Sequence, residues 1–93
     1  MRADKYLFFT RFFKTRALAA AMVSGGKLRV DGRRTPKPAQ AVGAGDVLTF
    51  VQAKSVRVIR ITGLPERRGP AAEAQTFYDD LTDPPAAPAE QGA

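Results

Sequence analysis

The stretch Lys14-Thr-Arg-Ala-Leu-Ala-Ala-Ala-Met-Val-Ser-Gly-Gly-Lys-Leu-Arg-Val-Asp-Gly32, written KTRALAAAMVSGGKLRVDG, decides the fold. It begins as a helix, because Thr15 is a preferred N-cap residue and the alanines behind it have the highest helix propensity. Gly25-Gly26 ends that helix. The next residues, KLRV, alternate like a strand, and Asp31-Gly32 fits the type I′ turn of a β-hairpin. A helix followed by a hairpin predicts a domain that mixes α and β structure.

A shorter helix is predicted before this stretch. Asp4 can cap a helix over residues 5–13 (KYLFFTRFF), in which apolar residues recur about one turn apart. In the second helix, Leu18 and Met22 stand at positions i and i+4 and mark its predicted apolar side. We expect the aromatic residues of the first helix to form core rather than to stack on nucleobases.

The rest of the chain predicts a small sheet and a short helix. VLTFV (47–51) and VRVIRI (56–61) are typical of paired strands. Residues 70–81 predict a short helix whose Phe77 and Leu81 dock on the body, and the Pro- and Ala-rich end predicts disorder. The fold class is therefore α+β: two N-terminal helices packed on a small antiparallel sheet, with a short C-terminal helix and a disordered tail.

Positive charge is concentrated in the first three quarters of the chain. The 93 residues include 15 Lys and Arg against 9 Asp and Glu, a formal net charge of +6. Residues 1–70 contain every cation and four acids, which gives +11, whereas residues 71–93 contain five acids and no cation. A domain this basic indicates a polyanionic partner, most often nucleic acid and less often a membrane surface.

The composition also excludes several chemistries. Cys and His are absent, which removes disulfides, thiolate metal sites and the usual general base near neutral pH. No carboxylate pair or nucleophile–base pair stands out, so we expect a non-enzymatic protein with no catalytic residues, no metal and no cofactor. The N-terminus lacks the apolar run of roughly 7–15 residues that a signal peptide needs, and no stretch approaches a membrane span. We expect a soluble, cytoplasmic protein.

Two cations stand where helix electrostatics disfavour them. Lys14 and Arg16 flank the start of the second helix, where the macrodipole is positive and each cation costs about 0.3–1 kcal/mol. A solvated basic surface leaves that cost unexplained. A bound phosphate would offset it, because the unpaired N–H groups of a helix start bind anions. We therefore interpret this helix start as a phosphate site.

Together these residues resemble a known family. The run MRADKYL…KTRALA…GGKLRVDGRRTPKPAQAVGAGDVL, within residues 1–51, is similar to the S4 RNA-binding domain. The matching features are Arg2 and Asp4-Lys5 at the start, Lys14-Thr15-Arg16 at the second helix, Gly26-Lys27 before the strand, Val30-x-Gly32 at the turn, and Gly45-Asp46. Within the family, the chain looks most similar to the free-standing heat-shock members that associate with the ribosome.

The resemblance implies a module whose two helices and hairpin present a basic surface to structured RNA. Its ribosome-associated members bind the large subunit, including one that retains peptidyl-tRNA after translation has failed. It therefore predicts large-subunit rRNA as a partner, with peptidyl-tRNA as a second candidate, a role in rescue or recycling of stalled subunits, and a monomer away from the ribosome. Carried over by position, the predicted RNA-binding residues are Arg2, Lys5, Arg11, Lys14, Thr15, Arg16, Lys27, Arg33, Arg34 and Lys37.

The resemblance also divides the chain. It predicts an S4 domain at residues 1–63, a C-terminal extension with a short helix at 64–83, and a disordered tail at 84–93. Two other functions stay open: a generic S4 adaptor for tRNA or another RNA without a ribosome role, and a basic protein–protein or membrane-surface module. The second helix argues against membrane binding, since alanines occupy the positions where a membrane-surface helix carries Lys and Arg.

Overall fold

The predicted α+β fold is confirmed by a computed structural model, which describes residues 1–82. In chain order the elements are α1 (Ala3–Phe9), α2 (Arg16–Ser24), β1 (Leu28–Val30), β2 (Arg33–Arg34), β3 (Val47–Gln52), β4 (Ser55–Ile61), α3 (Ala71–Ala74), a 3-10 turn (Gln75–Phe77) and β5 (Tyr78–Asp80). The predicted disordered tail, residues 84–93, lies outside the described residues.

The five strands form one antiparallel sheet in the order β2-β1-β3-β4-β5. Its longest pairing joins β3 to β4, as the sequence predicted. Asp31 and Gly32 connect β1 to β2 with φ angles of 51° and 84°, and a type I′ turn requires positive values at both positions. The predicted hairpin is therefore present, and its first strand, β1, is the element that follows α2.

The two N-terminal helices pack against one face of this sheet. The core combines Tyr6 and Val23 from the helices with Leu48 and Phe50 from β3, and all four are buried. Phe12, which follows α1, meets Phe50 edge to face with ring centroids 5.1 Å apart. Such a pair adds about 0.5–1.5 kcal/mol beyond its buried area, which matters in a core this small.

α1 starts earlier and ends sooner than the sequence predicted. The helix ends at Phe9, because Arg11 adopts a φ of 68° that no α-helix accommodates. The prediction that Asp4 caps the helix was wrong: Arg2 precedes the first helical residue, and Asp4 lies inside the first turn. Its acidic group is favourable at this end of the helix, where the macrodipole is positive.

α2 begins where the sequence predicted. Thr15 is its N-cap, and its Oγ1 accepts a hydrogen bond from the N–H of Leu18 at 3.1 Å. The prediction for the apolar side was half wrong, because Met22 is buried but Leu18 is 52% exposed. The buried side is centred on Ala19 and Val23, which are one turn apart, and this rotates Leu18 into solvent.

The C-terminal segment differs most from its prediction. The helix predicted over residues 70–81 is limited to α3 and the 3-10 turn, after which the chain extends as β5 along β4. Without β5, β4 would expose a row of unpaired backbone groups at the edge of the sheet, and pairing overrides the local helical pattern there. Phe77 is partly buried as expected, whereas Leu81 is exposed and does not dock.

Tyr6 joins this segment to α1. Its buried hydroxyl donates a hydrogen bond to the carbonyl of Phe77 at 2.8 Å, and burial raises the pKa of Tyr6, which keeps the hydroxyl protonated. Thr62 and Gly63 also donate their N–H groups to the same carbonyl. The contact therefore links residues that are 71 positions apart in the sequence.

Tyr6→Phe is expected to lower the free energy of unfolding by about 0.5–1.5 kcal/mol, the usual net contribution of one hydrogen bond. The loss should be no larger, because two other donors still satisfy the Phe77 carbonyl. Urea unfolding followed by circular dichroism measures it. Tyr78→Phe is the matched control, since the Tyr78 hydroxyl makes no hydrogen bond within residues 1–82 and its removal should change stability less. Equal losses of unfolding free energy in the two variants would mean that the hydrogen bond from Tyr6 to Phe77 does not stabilise the fold.

Candidate nucleic-acid interface

A buried carboxylate connects the starts of α1 and α2. Asp4 is only 2% exposed. Arg2 makes a bidentate contact with this carboxylate, donating from Nε to Oδ1 at 3.1 Å and from Nη2 to Oδ2 at 3.0 Å. Arg16 donates from Nε to Oδ2 at 3.4 Å, and the N–H of Lys5 donates to Oδ1 at 2.7 Å. One acid thus holds arginines from two separate elements beside each other.

The electrostatics of Asp4 favour its charged form. Burial of the carboxyl by itself would raise the pKa of Asp4, but the hydrogen bonds from Arg2 and Lys5 and the charges of Arg16 and Arg2 together hold that pKa below its usual value of 3.8. The sequence-based explanation for a cation at the start of α2 was therefore incomplete, because Asp4 supplies an internal counter-charge. The side chains of Arg2 and Arg16 nevertheless remain 48% and 44% exposed.

The start of α2 retains unused donors. The side chain of Thr15 satisfies the N–H of Leu18, but within residues 1–82 the N–H groups of Arg16 and Ala17 make no hydrogen bond. Lys14 is exposed beside them. This helix start can therefore hold a phosphate through backbone donors and two cationic side chains.

A second group of cations surrounds the β1–β2 hairpin. Arg33, Arg34 and Lys37 line an open hollow of about 710 Å³. Asp31 also lines the hollow, but its Oδ1 accepts a hydrogen bond from the N–H of Val47 at 2.9 Å, which directs the carboxylate toward the backbone. The hollow is therefore a basic feature of suitable size for sugar and phosphate groups.

Gly26 has a backbone angle that favours glycine, and its carbonyl contacts one of these cations. Arg34 donates from Nε to the carbonyl of Gly26 at 3.1 Å. A Cβ atom at residue 26 would lie 2.6 Å from Nη2 of Arg34, and the φ of Gly26 is +78°. The backbone angle disfavours any residue with a Cβ atom there, and a Cβ atom would also push the flexible guanidinium group of Arg34 out of this contact. Arg34 is consequently held against the turn that ends α2.

The two cationic groups are neighbours. The segment that continues from the hollow passes the start of α1, where the N–H of Ala3 donates to the carbonyl of Gln40 at 2.8 Å and the N–H of Asp4 donates to that of Pro38 at 3.2 Å. Arg2 also forms a β-bridge with Ala41. The hairpin hollow and the Asp4 cluster therefore adjoin through residues 38–41.

The structure places other predicted residues differently. The helix α1 is about 10 Å long at 1.5 Å per residue. Arg11 lies beyond its C-terminal end and donates from Nη1 to the carbonyl of Gly69 at 3.0 Å. It is not brought together with the Asp4 cluster. Lys5 lies over the ring of Phe9, with Nζ 5.3 Å from the centroid. Lys27 is exposed between α2 and β1.

Sequence reasoning missed two features of this region. It did not assign Asp4 to the cationic cluster, although a lone acid between Arg2 and Lys5 in a strongly basic segment was an available signal. It also missed Arg68, which donates at 3.1 Å to the carbonyl of Phe8, in the last turn of α1, and at 3.3 Å to that of Phe13, in the loop before α2. Sequence separations of 60 and 55 residues offer no signal for those contacts.

Clusters of metal-ligating side chains and membrane-spanning helices are absent from the described part of the chain. Residues 1–82 contain no group of three or more His, Cys, Asp or Glu side chains placed to hold a metal ion. No helix within these residues has both the length and the apolar character needed to cross a membrane.

Known proteins are similar to this chain in fold and in sequence. The S4 domain family matches residues 1–48. Heat shock protein 15 of Escherichia coli K12 is 39% identical over 83 residues, and the homologue of Aeromonas salmonicida is 39% identical over 80. These matches cover 89% and 86% of this chain but 62% and 60% of the relatives, so the chain spans about three fifths of their length. The structure of heat shock protein 15 from Vibrio cholerae, described as trimeric, superposes with a TM-score of 0.82 at 40% identity, covering 87% of this chain and 81% of that one.

The Asp4 cluster should make stability depend on pH. Because the pKa of Asp4 is lower in the folded state than in the unfolded chain, the contribution of its charge is present above about pH 5 and lost as pH falls through the folded pKa. Asp4→Asn should therefore lower the free energy of unfolding by about 1–3 kcal/mol at pH 7, and this difference should shrink toward pH 2. Thermal and urea unfolding across that range measure it.

Asp79→Asn is the matched control, because it removes an exposed carboxylate from β5 and should change stability little at any pH. A difference between wild type and Asp4→Asn that stays constant from pH 7 to pH 2 would contradict the role of the charge.

Proposed function

The chain belongs to the S4 domain family of RNA-binding proteins, and from this premise we propose that it binds structured RNA in the cytoplasm, with large-subunit rRNA as its target. The proposed RNA-contacting set, called the cationic surface below, comprises ten residues, of which Arg11 lies apart from the Asp4 cluster. They are Arg2, Lys5, Arg11, Lys14, Thr15, Arg16, Lys27, Arg33, Arg34 and Lys37.

The observation that carries this proposal is the scarcity of internal partners for these charges. Of the nine cations in the cationic surface, only Arg2 and Arg16 have a carboxylate within 4.0 Å among residues 1–82, and they share Asp4. The other seven carry charge that no carboxylate within that range offsets. Such a surface attracts phosphates, and the release of their counterions drives binding.

The aromatic residues favour a folded RNA over a single strand. Proteins that bind single strands stack bases on exposed aromatic faces. Here Tyr6 and Phe12 are buried in the core, and Arg68 covers the ring of Phe8 with its guanidinium carbon 4.8 Å from the centroid. Few aromatic faces are therefore available for bases, whereas fixed cations suit the phosphates and 2′-hydroxyls of a structured RNA.

The ribosomal part of the proposal rests on the resemblance to the ribosome-associated heat-shock members of the family. We extend from those members a role in rescue or recycling of stalled large subunits, including subunits that hold peptidyl-tRNA. The effect is proposed to come from occupying an RNA site, without catalysis. We further propose that residues 1–63 form the S4 domain and that residues 64–83 are a C-terminal extension, whose strand β5 is added to the edge of the S4 sheet beside β4. Residues 84–93 are proposed to form the tail.

The oligomeric state bears on how many RNA surfaces the protein presents. We propose a monomer away from the ribosome, whereas the Vibrio cholerae relative is described as trimeric. Light scattering of the free protein distinguishes these states by mass, since one chain is 10.0 kDa. A mass of three chains would overturn the monomer.

Binding should be strongly salt-dependent and selective for RNA. If the cationic surface neutralises about six phosphates, the logarithm of the association constant should fall against the logarithm of salt with a slope of roughly −4 to −5. Fluorescence anisotropy with a labelled RNA hairpin measures the slope. Duplex DNA of the same sequence should bind less tightly, because A-form geometry and the 2′-hydroxyl distinguish RNA. A nearly flat slope, or equal affinity for the two duplexes, would count against the proposal.

The protein should co-sediment with free large subunits at moderate salt, with higher occupancy on subunits that hold peptidyl-tRNA. Lys14→Ala/Arg16→Ala should release it, because each lost charge-assisted contact weakens binding by about 1–3 kcal/mol. Gradient fractions probed for the protein measure the occupancy. The matched control is Lys54→Ala/Arg60→Ala, which removes the same charge from exposed residues outside the cationic surface.

The control variant should remain bound to the subunits. Release of both variants to the same extent would mean that binding depends on the net charge of the protein and not on the cationic surface. Arg57 is unsuitable as a control, since it pairs with Asp80 at 2.7 Å and lies over the ring of Phe12.

Two results would favour the alternative functions. A wild-type protein that stays at the top of the gradient yet binds free tRNA would be a generic S4 adaptor. Binding to phosphatidylserine vesicles without affinity for RNA would indicate a membrane-surface module.

A further inference from the structure

Asp4 is an unusual residue for the middle of an RNA-binding surface. Its negative charge repels phosphates, and it lies between two of the cations proposed to bind them. Burying a carboxylate is also unfavourable unless it is fully paired. A role confined to the fold could be filled by apolar residues of similar volume, which are often neutral or stabilising in place of a buried ion pair. The contacts of Asp4 therefore call for another explanation.

The hydrogen bonds divide each arginine into an anchored part and a free part. Asp4 binds Nε of both Arg2 and Arg16, together with Nη2 of Arg2. Within residues 1–82, Nη1 of Arg2 and both terminal nitrogens of Arg16 make no hydrogen bond. These nitrogens belong to side chains that are nearly half exposed. Each guanidinium thus contacts Asp4 at its inner edge, Arg2 through two hydrogen bonds and Arg16 through one longer one, and keeps donors for a ligand at its outer edge.

The arginines come from parts of the chain that move independently in the unfolded state. Arg2 precedes α1 and is bridged to Ala41, whereas Arg16 is the first residue of α2. Both donate to Oδ2 of the same carboxylate, so their guanidinium groups are neighbours. Without Asp4 between them, the two like charges would repel each other and the long side chains would separate.

We propose that Asp4 is a positioning residue for RNA binding, which holds Arg2 and Arg16 side by side so that their outer nitrogens meet phosphate oxygens together. This inference rests on the proposed RNA-binding function. Ordering two arginine side chains before the RNA arrives removes part of the entropy loss that binding would otherwise carry. The structure thus assigns to the acid the task of presenting the cations, although it does not touch the ligand itself.

The proposal makes a prediction opposite in sign to that of simple electrostatics. Asp4→Asn removes one negative charge from the cationic surface, so a purely charge-driven interaction with RNA should become tighter. If Asp4 positions the arginines, the same variant should bind about tenfold more weakly, because both guanidinium groups lose their shared charged partner. Asp79→Asn makes the same change in net charge on β5 and should bind at least as tightly as wild type.

The test measures affinity for deproteinised large-subunit rRNA at fixed salt, at a temperature where circular dichroism shows each variant to be folded. Weaker binding of Asp4→Asn with unchanged or tighter binding of Asp79→Asn supports the proposal. Equal or tighter binding of Asp4→Asn overturns it. A wild-type protein that does not bind the rRNA overturns the proposed function instead, so the two failures are distinguishable.

A double-mutant cycle separates positioning from a general loss of structure. Arg16→Ala should weaken rRNA binding about tenfold in the wild-type background but about twofold or less in the Asp4→Asn background, because Arg16 is no longer held there. Effects that multiply independently would overturn the proposal. If Asp4→Asn does not fold, the wild-type protein still provides a test.

In that case, NMR of the arginine Nε–H groups in the free protein should show slow solvent exchange for Arg2 and Arg16 relative to the exposed Arg60. Exchange as fast as that of Arg60 would mean that the arginines are not held before RNA binds, which would overturn the proposal.

Discussion

The ion-paired carboxylate of Asp4 is the interaction on which the basic end of this molecule depends. A buried charge is tolerated only when its oxygens are satisfied, and here two guanidinium groups and one backbone N–H satisfy them. Those partners belong to residue 2, the first turn of α1 and the first residue of α2. The need to pair one acid therefore determines how the two helix starts and their cations are arranged.

The C-terminal end of α1 is held by hydrogen bonds to the C-terminal segment of the chain. Arg68 satisfies the carbonyls of Phe8 and Phe13, and Arg11 in turn donates to the carbonyl of Gly69. These reciprocal contacts, with the hydrogen bond from Tyr6 to Phe77, bind the C-terminal segment to a helix of only seven residues. A short helix is marginal by itself, so such tertiary contacts supply the stability that its own hydrogen bonds cannot.

This arrangement suits recognition by shape. The cations of the Asp4 cluster and the hairpin hollow are attached to helix starts, a tight turn and a segment bonded to α1, so the backbone positions that carry them are set before a ligand arrives. Arg34 is further restrained against Gly26. Cations carried at fixed backbone positions, with Arg2, Arg16 and Arg34 also restrained at their side chains, favour RNAs whose phosphates have a matching spacing.

Local interactions explain which predictions from the sequence were confirmed. The N-cap at Thr15, the hairpin at Asp31-Gly32 and the pairing of β3 with β4 depend on residues close together in the chain, through a side-chain hydrogen bond, positive φ angles and alternating burial. The positions of the basic residues were also given directly by the sequence, and their number predicted a polyanionic partner.

The sequence by itself therefore determined the fold class, the start of α2 and the identity of the candidate cations. Only the tertiary structure decided that Asp4 contacts Arg16, that Arg11 lies away from the Asp4 cluster, and that the chain after α3 forms a strand. Each of these outcomes depends on partners 12 or more residues away. Whether an arginine turns to a carboxylate, a carbonyl or solvent is settled by which groups the completed fold brings within hydrogen-bond distance, and local sequence patterns do not contain that information.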